Sequence, residues 1–180
     1  DILEVLKDPS RLNSEIRNYL EKNNEYTEYH LKDTKEFQKK LFDEIKGRIK
    51  LDDESLPYTD KKYIYWTKTT KETNYLIKLR KKIGTDKIEE YWSGESEKKN
   101  LSAEYFGIGS LEVSNNDEML AYSLDLKGSE YYTIYVRRIS DNKIISEEIK
   151  ETSGNIIWSV DDKYIFYSKL DKFHRPRKIY

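Results

Sequence analysis

Hydrolytic chemistry on this 180-residue chain would have to draw on two histidines, His30 and His174, and on the serines, because there is no cysteine. A serine nucleophile of the α/β-hydrolase type sits on a sharp turn, usually Gly-x-Ser-x-Gly, where small neighbours let the strained side chain project toward its base. Gly107-Ile108-Gly109-Ser110 and Ser93-Gly94-Glu95-Ser96 come nearest, and both have the wrong order. They read as strand-entry and turn residues. His30 falls in a helical stretch as a packing or surface residue, and His174, in Phe173-His174-Arg175-Pro176, falls in a polar hairpin loop. No catalytic residue is assigned.

Other constellations are equally bare. Asp52-Asp53-Glu54 lacks the glycine and alternating ligand spacing of a calcium loop, and two histidines without cysteine make a poor zinc set, so the acidic run reads as a solvated turn. No Gly-rich phosphate loop is present. We therefore expect no cofactor, no cofactor-binding residue and no metal ligand. The basic run Lys78-Leu79-Arg80-Lys81-Lys82 reads as the solvated face and end of a strand, and the glutamates of residues 89–104 as a hydrated loop.

Composition narrows the partners. Lys and Arg total 33 against 34 Asp and Glu, a formal net charge of −1, which argues against nucleic acid because phosphate binding needs clustered excess cations. No apolar run approaches the roughly 18 residues of a membrane span, and no signal-peptide pattern opens the chain. A cytoplasmic address fits, although a start at Asp1 leaves room for a removed leader. Charged residues reach 37%, yet 16 Tyr, 5 Phe and 3 Trp supply an aromatic core.

The elements that must carry these residues change period along the chain. Ile16, Tyr19, Leu20, Asn23, Tyr26 and His30 recur at helical steps after an Asn13 N-cap. Asp33 and Glu36 resemble a capping box, and Phe37, Leu41 and Ile45 line one face of a second helix before Gly47. These apolar stripes are expected to clasp another domain or the flank of a sheet. After Pro57 the period becomes 2: a hairpin over 62–69 and 75–81, a strand over 88–92, a loop over 93–100, then strands near 108–113, 119–125, 131–138 and 144–149.

A repeat organises this second part. Val113-Ser114-Asn115-Asn116-Asp117-Glu118-Met119-Leu120-Ala121-Tyr122-Ser123 returns as Trp158-Ser159-Val160-Asp161-Asp162-Lys163-Tyr164-Ile165-Phe166-Tyr167-Ser168, and Lys62-Tyr63-Ile64-Tyr65-Trp66-Thr67 is a weaker copy. A period of about 40 to 50 residues built of short strands is the mark of a β-propeller blade. The expectation is mainly β: a helical lead-in over residues 1–56, then about two blades of a larger, incomplete propeller over 57–180. A third blade begins at Asn155 and reaches only its third strand, so the sequence reads as the front of a longer polypeptide. Asp117 and Asp162, at equivalent turn positions, are expected to accept backbone N–H bonds within their own hairpins.

The run from Leu41-Phe42-Asp43-Glu44-Ile45-Lys46-Gly47-Arg48-Ile49-Lys50 to Leu56-Pro57-Tyr58 resembles the N-terminal segment of the oligopeptidase B (protease II) group of the prolyl oligopeptidase family of serine peptidases. Tyr19-Leu20-Glu21-Lys22-Asn23-Asn24-Glu25-Tyr26 resembles that group's first long helix, and Glu104-Tyr105-Phe106, Lys127-Gly128 and Thr152-Ser153-Gly154 follow in order. The resemblance implies a seven-bladed propeller over an α/β-hydrolase domain that cleaves short peptides after Arg or Lys, with its triad outside these 180 residues. The chain alone is then inactive, and its partners are the remaining blades and the hydrolase domain. A stand-alone interaction module or split-gene remnant is the alternative.

Overall fold

The computed structural model describes Val5 and residues 8–180, which divide into two compact units, residues 1–53 and 54–180. The first is helical: α1 (Ser14–Leu31), a 3-10 turn (Lys32–Thr34) and α2 (Lys35–Gly47). Asn13 caps α1 as expected, its Oδ1 accepting from Glu15 N at 2.8 Å and Ile16 N at 3.4 Å. The Asp33/Glu36 capping box does not form. Asp33 lies in the 3-10 turn, and Thr34 at the N-cap makes no side-chain bond to a backbone N–H of the helix, its Oγ1 accepting from Gln38 Nε2 at 2.7 Å. The Lys35 N–H is met instead by the Lys32 carbonyl, so the chain needs no side-chain cap to pass from one helix into the next. Phe37, Leu41 and Ile45 share a face of α2 and stay exposed.

The second unit is β-rich. The first sheet, whose β1 (Asp53–Glu54) begins at the boundary, also contains β2 (Tyr58–Asp60), β3 (Tyr63–Thr69), β4 (Ile77–Lys82) and β5 (Ile88–Ser93), in the order β1-β3-β4-β5 with β2 also on β3. The second has β6 (Gly107–Val113), β7 (Met119–Asp125), β8 (Tyr132–Arg138), β9 (Ile149–Trp158), β10 (Ile165–Leu170) and β11 (Pro176–Ile179), in the order β11-β10-β9-β8-β7-β6. The β3–β4–β5 meander and β6–β8 fall where the alternation placed them.

Two expectations fail here. Residues 93–100 are not a loop: they form α3 (Gly94–Leu101), capped by the Ser93 hydroxyl. Nor is there a separate strand over 144–149. Ile144 bridges Arg137, and β9 then serves two partners, pairing β8 through Ile149 and Thr152 and β10 through Ile156, Ile157 and Trp158. The fourth strand of one blade thus runs into the first of the next. Glu151 (φ 60) and Gly154 (φ 86) make the bend between them.

The repeat is reproduced atom for atom at its turns. Ser114 Oγ donates to Asn116 Oδ1 (2.7 Å) and accepts from Met119 N (2.9 Å), while Ser159 Oγ donates to Asp161 Oδ1 (2.7 Å) and accepts from Tyr164 N (3.0 Å). Asp117 and Asp162 both take the left-handed conformation, φ 67 and 58, which Asp tolerates better than most side chains.

Strand β7 shows why its residues read as a continuous buried run. Leu120, Tyr122 and Leu124 point to a cluster with Tyr65, Tyr91, Trp92, Phe106, Tyr135 and Ile139, whereas Ala121 points to one with Ile134, Val136 and Ile156. The middle blade is covered on both faces, and each buried large side chain contributes about 1.5–3 kcal/mol. The architecture is a partial propeller preceded by helices.

Candidate functional site

The polar chemistry of this chain concentrates at the two seams where neighbouring blades meet. At the first, Tyr65 on β3 donates its hydroxyl to Asp117 Oδ1 at 2.8 Å, and Arg80 on β4 donates to the Asp117 carbonyl at 2.7 Å. Arg80 is buried, paired with Glu89 at 3.1 Å and stacked 4.2 Å over Tyr63. The basic run is therefore a strand, as expected, but its central arginine is not solvated. Burial lowers the pKa of Lys78, whose Nζ lies 3.1 Å from Thr67 Oγ1.

Helix α3 adds a second set of bonds to this seam. Its Glu97, nearly buried, pairs with Arg137 on β8 and accepts from the Tyr122 hydroxyl at 3.1 Å, and Arg137 Nη2 donates to the Tyr91 carbonyl at 2.9 Å. Glu97 thus lies in the core rather than in a hydrated loop. Sequence reading missed it because α3 is polar on every side; the cues were the Ser93 N-cap, Glu95 and Glu97 in the first turn and Lys98 and Lys99 in the last. Burial raises the tyrosine pKa values here. Tyr65, Tyr91 and Tyr122 move well above the ordinary range, and Tyr135, which also faces Glu148, is pushed up to about 12.

At the second seam Asp162 reaches back to the preceding blade. It accepts from Asn115 N (2.6 Å), Asn116 N (2.7 Å) and Asn115 Nδ2 (2.9 Å), and Trp158 Nε1 donates to the Glu112 carbonyl at 2.8 Å. The expectation that Asp117 and Asp162 fix their own hairpins is corrected. Within the turns Asn116 and Asp161 do that work, and the Asp117 and Asp162 side chains point across the seams, where a partner blade supplies the donors. Asp117 uses Oδ1 alone; its Oδ2 has no partner among the described residues.

The candidate serines and histidines each have a local partner of their own. Ser93 caps α3, and Ser110 lies within β6, its N–H bonded to Ser123 Oγ at 2.8 Å. His30, exposed on α1, lies against Tyr26 with the ring centroids 4.2 Å apart and the planes tilted by 47°. His174 sets Nε2 3.2 Å from the Ser129 carbonyl and its ring edge-on to Tyr131. Of the acidic run, Asp53 pairs with Lys50 at 2.7 Å and Glu54 with Lys68 at 3.6 Å. Among the described residues no group of three or more His, Cys, Asp or Glu is arranged to hold a metal ion. A cavity of about 450 Å³ lined by Tyr91, Trp92, Glu97, Tyr122, Tyr135 and Arg137 opens along the first seam. Glu97, Tyr122 and Arg137 are bonded to one another or to the Tyr91 carbonyl, while Trp92 Nε1 and Arg137 Nε are buried without a hydrogen-bond partner among the described residues.

Residues 1–179 match the family model described as prolyl oligopeptidase, N-terminal beta-propeller domain. The chain belongs to the prolyl oligopeptidase family. Among the relatives of this prolyl oligopeptidase-family chain, Dipeptidyl aminopeptidase BI of Pseudoxanthomonas mexicana is 29% identical across 92% of the chain and 25% of the relative. Protease 2 of Moraxella lacunata is 24% identical across 97% of the chain and 26% of the relative. The fold matches oligopeptidase B from Leishmania major with a TM-score of 0.84 and 24% identity, covering 98% of this chain and 25% of that one. The likeness to oligopeptidase B carried by the sequence is thus met in the fold. The chain spans about a quarter of the length of these relatives.

Proposed function

We propose that the chain is the non-catalytic front of an oligopeptidase B-like serine peptidase that cleaves short peptides after Arg or Lys. Residues 1–56 are its helical lead-in and residues 57–180 the first blades of a propeller that filters substrates by size. The observation that carries this reading is the match of residues 1–179 to the N-terminal propeller domain in a chain a quarter the length of its relatives.

Packing supports it. Tyr65 is buried in the first seam, so the strand alternation turns Ile64 and Trp66 to the opposite face of their blade. At the other end Ile156 is buried, and Ile157 (68% exposed) and Phe166 (47%) face away. Apolar faces on both outer blades are what further blades would cover. The partners are then the remaining blades and an α/β-hydrolase domain, with short basic peptides as substrates of the whole enzyme, in a cytoplasmic setting and without nucleic acid or membrane. No helix among the described residues is long and apolar enough to cross a membrane.

The relatives bear names of two kinds, a dipeptidyl aminopeptidase and a protease. The test therefore uses both substrate types on the whole enzyme: blocked Arg and Lys peptides, and peptides with a free amino-terminal dipeptide. Cleavage of the blocked substrates after Arg or Lys, with no turnover by residues 1–180 alone, is the expected result. Turnover by the isolated chain that a serine-directed inhibitor abolishes overturns it, and preference for the free dipeptide overturns the specificity.

A further inference from the structure

The cavity along the first seam holds two donors that the seam itself does not use. Arg137 donates Nη1 to Glu97 and Nη2 to the Tyr91 carbonyl, 2.9 Å away, but its Nε finds no partner among the described residues, and neither does Trp92 Nε1. Both side chains line the cavity, and both are buried, Trp92 at 1% and Arg137 at 6% exposure. Buried donors are nearly always hydrogen-bonded, so this pair calls for an acceptor from outside the fold. The carboxylates nearest to hand are engaged. Glu97 accepts from Arg137 and Tyr122, and Glu148 accepts from Tyr135 and pairs with Lys150 at 3.0 Å.

The space is larger than a single water needs. At about 450 Å³ the cavity far exceeds the roughly 30 Å³ that one water occupies and falls within the range of small-molecule sites. Its walls are aromatic: the Tyr122 and Tyr135 rings stack with centroids 5.4 Å apart and planes 24° apart, and Trp92 meets Tyr122 edge-on at 6.5 Å. Such surfaces favour another ring.

Charge narrows the occupant further. Glu90, Glu97 and Glu148 line the cavity against a single guanidinium, Arg137. A bare anion would be repelled by that excess, so the acceptor must arrive on a molecule that also carries a cation. Glu90 and Glu148 are exposed, which puts them at the mouth, above the buried Trp92 and Arg137. Glu90 joins no salt bridge among the described residues. Donors below, rings along the walls and carboxylates at the mouth match a molecule with an acid, a ring and an amine.

We propose that the first-seam cavity binds a small aromatic α-amino acid, its carboxylate accepting from Trp92 and Arg137, its ring against Tyr122 and Tyr135, and its ammonium facing Glu90 and Glu148. The site stands apart from the peptidase reading, because all of its residues lie between positions 90 and 148 and it needs no catalytic group.

The test is calorimetric titration of the intact polypeptide that carries residues 1–180, its active serine blocked with a fluorophosphonate, using L-phenylalanine, 3-phenylpropionate and phenethylamine. Phenylalanine binds, and each of the other two, lacking one charged group, binds weaker by about tenfold or more. The exposed substitution Glu90→Gln weakens phenylalanine and phenethylamine and leaves 3-phenylpropionate unchanged. Trp92→Phe keeps a ring but removes the N–H, and weakens phenylalanine and 3-phenylpropionate while sparing phenethylamine; should that buried change unfold the protein, the Glu90→Gln arm decides. No binding of phenylalanine, which leaves the two donors to water, or equal binding of the three compounds overturns the proposal. Phenylalanine binding indifferent to Glu90→Gln also overturns it, since the ligand then sits elsewhere. Failure of the fluorophosphonate to label a serine bears on the proposed function alone.

Discussion

Asp162 accepts the backbone N–H of Asn116 at 2.7 Å across 46 positions of sequence, so the opening turn of one blade is clasped by the matching turn of the next. At the preceding seam the equivalent carboxylate, Asp117, holds only a tyrosine hydroxyl, at 2.8 Å. One repeated residue type thus closes two seams by different means.

That difference predicts unequal responses to the same substitution. Asp162→Asn replaces one of two working acceptor oxygens with an amide facing N–H groups, and destabilises by about 1–3 kcal/mol. Asp117→Asn keeps an acceptor for Tyr65, removes a buried charge and retains a residue that tolerates positive φ, so its effect stays within about 0.5 kcal/mol. Urea unfolding of the two variants measures this. Equal losses would contradict the two-seam account.

The Glu97–Arg137 pair, with side chains only 10% and 7% exposed, is the second test of the first seam. Removing one partner, as in Glu97→Gln or Arg137→Met, leaves a buried polar group without its counterpart and costs about 3–5 kcal/mol. The double variant Glu97→Leu/Arg137→Met recovers most of that loss. A strictly additive double mutant would show that the two side chains act independently.

How much of this was legible in the sequence follows from how local each cause is. Strands β3, β4, β6, β7 and β8, the Asn13 cap and the Ser114/Ser159 turns are set by alternation and short-range hydrogen bonds, and the sequence carries them openly. Helix α3 was hidden because its buried residues are Gly94 and Glu97, and Glu97 is polar and finds its reason in Arg137, 40 positions away. The cross-seam role of Asp162 was hidden likewise, since the donors at Asn115 and Asn116 belong to another blade. The fusion of a fourth and a first strand into β9 was masked by Glu151, a side chain holding positive φ beside Gly154.

Glycine positions give a third prediction. Gly154 has φ +86, and a Cβ there would lie 2.9 Å from the Tyr132 ring, while Gly84 has φ +81 with nothing within 4 Å. Gly84→Ala therefore carries conformational strain alone, about 1 kcal/mol, and Gly154→Ala adds a clash in the core for a loss of about 2–4 kcal/mol. Thermal unfolding of both variants separates strain from packing. Similar shifts for the two would contradict the packing at Tyr132.

The pH dependence is set by the buried tyrosines. Each has a folded-state pKa above its ordinary value of 10.0, and Tyr135 is pushed up to about 12. The folded state therefore keeps protons that the unfolded chain releases. Their contribution is fully present below pH 10 and is lost as pH rises toward 12 and beyond. Denaturant midpoints should be flat from pH 7 to 9 and fall steeply above 10, with Tyr135→Phe reducing the steepness. A midpoint unchanged at pH 11 would show that these hydroxyls are not buried.

The central claim, that these residues are the opening blades of a serine peptidase, is tested most directly by recovering the native polypeptide that carries them. An antibody against residues 1–180 isolates it, and a fluorophosphonate probe reports any active serine. The account predicts a polypeptide about four times the length of this chain, from the 25% share of its relatives, labelled at a serine outside residues 1–180. A 21.6 kDa species that takes no label would contradict it.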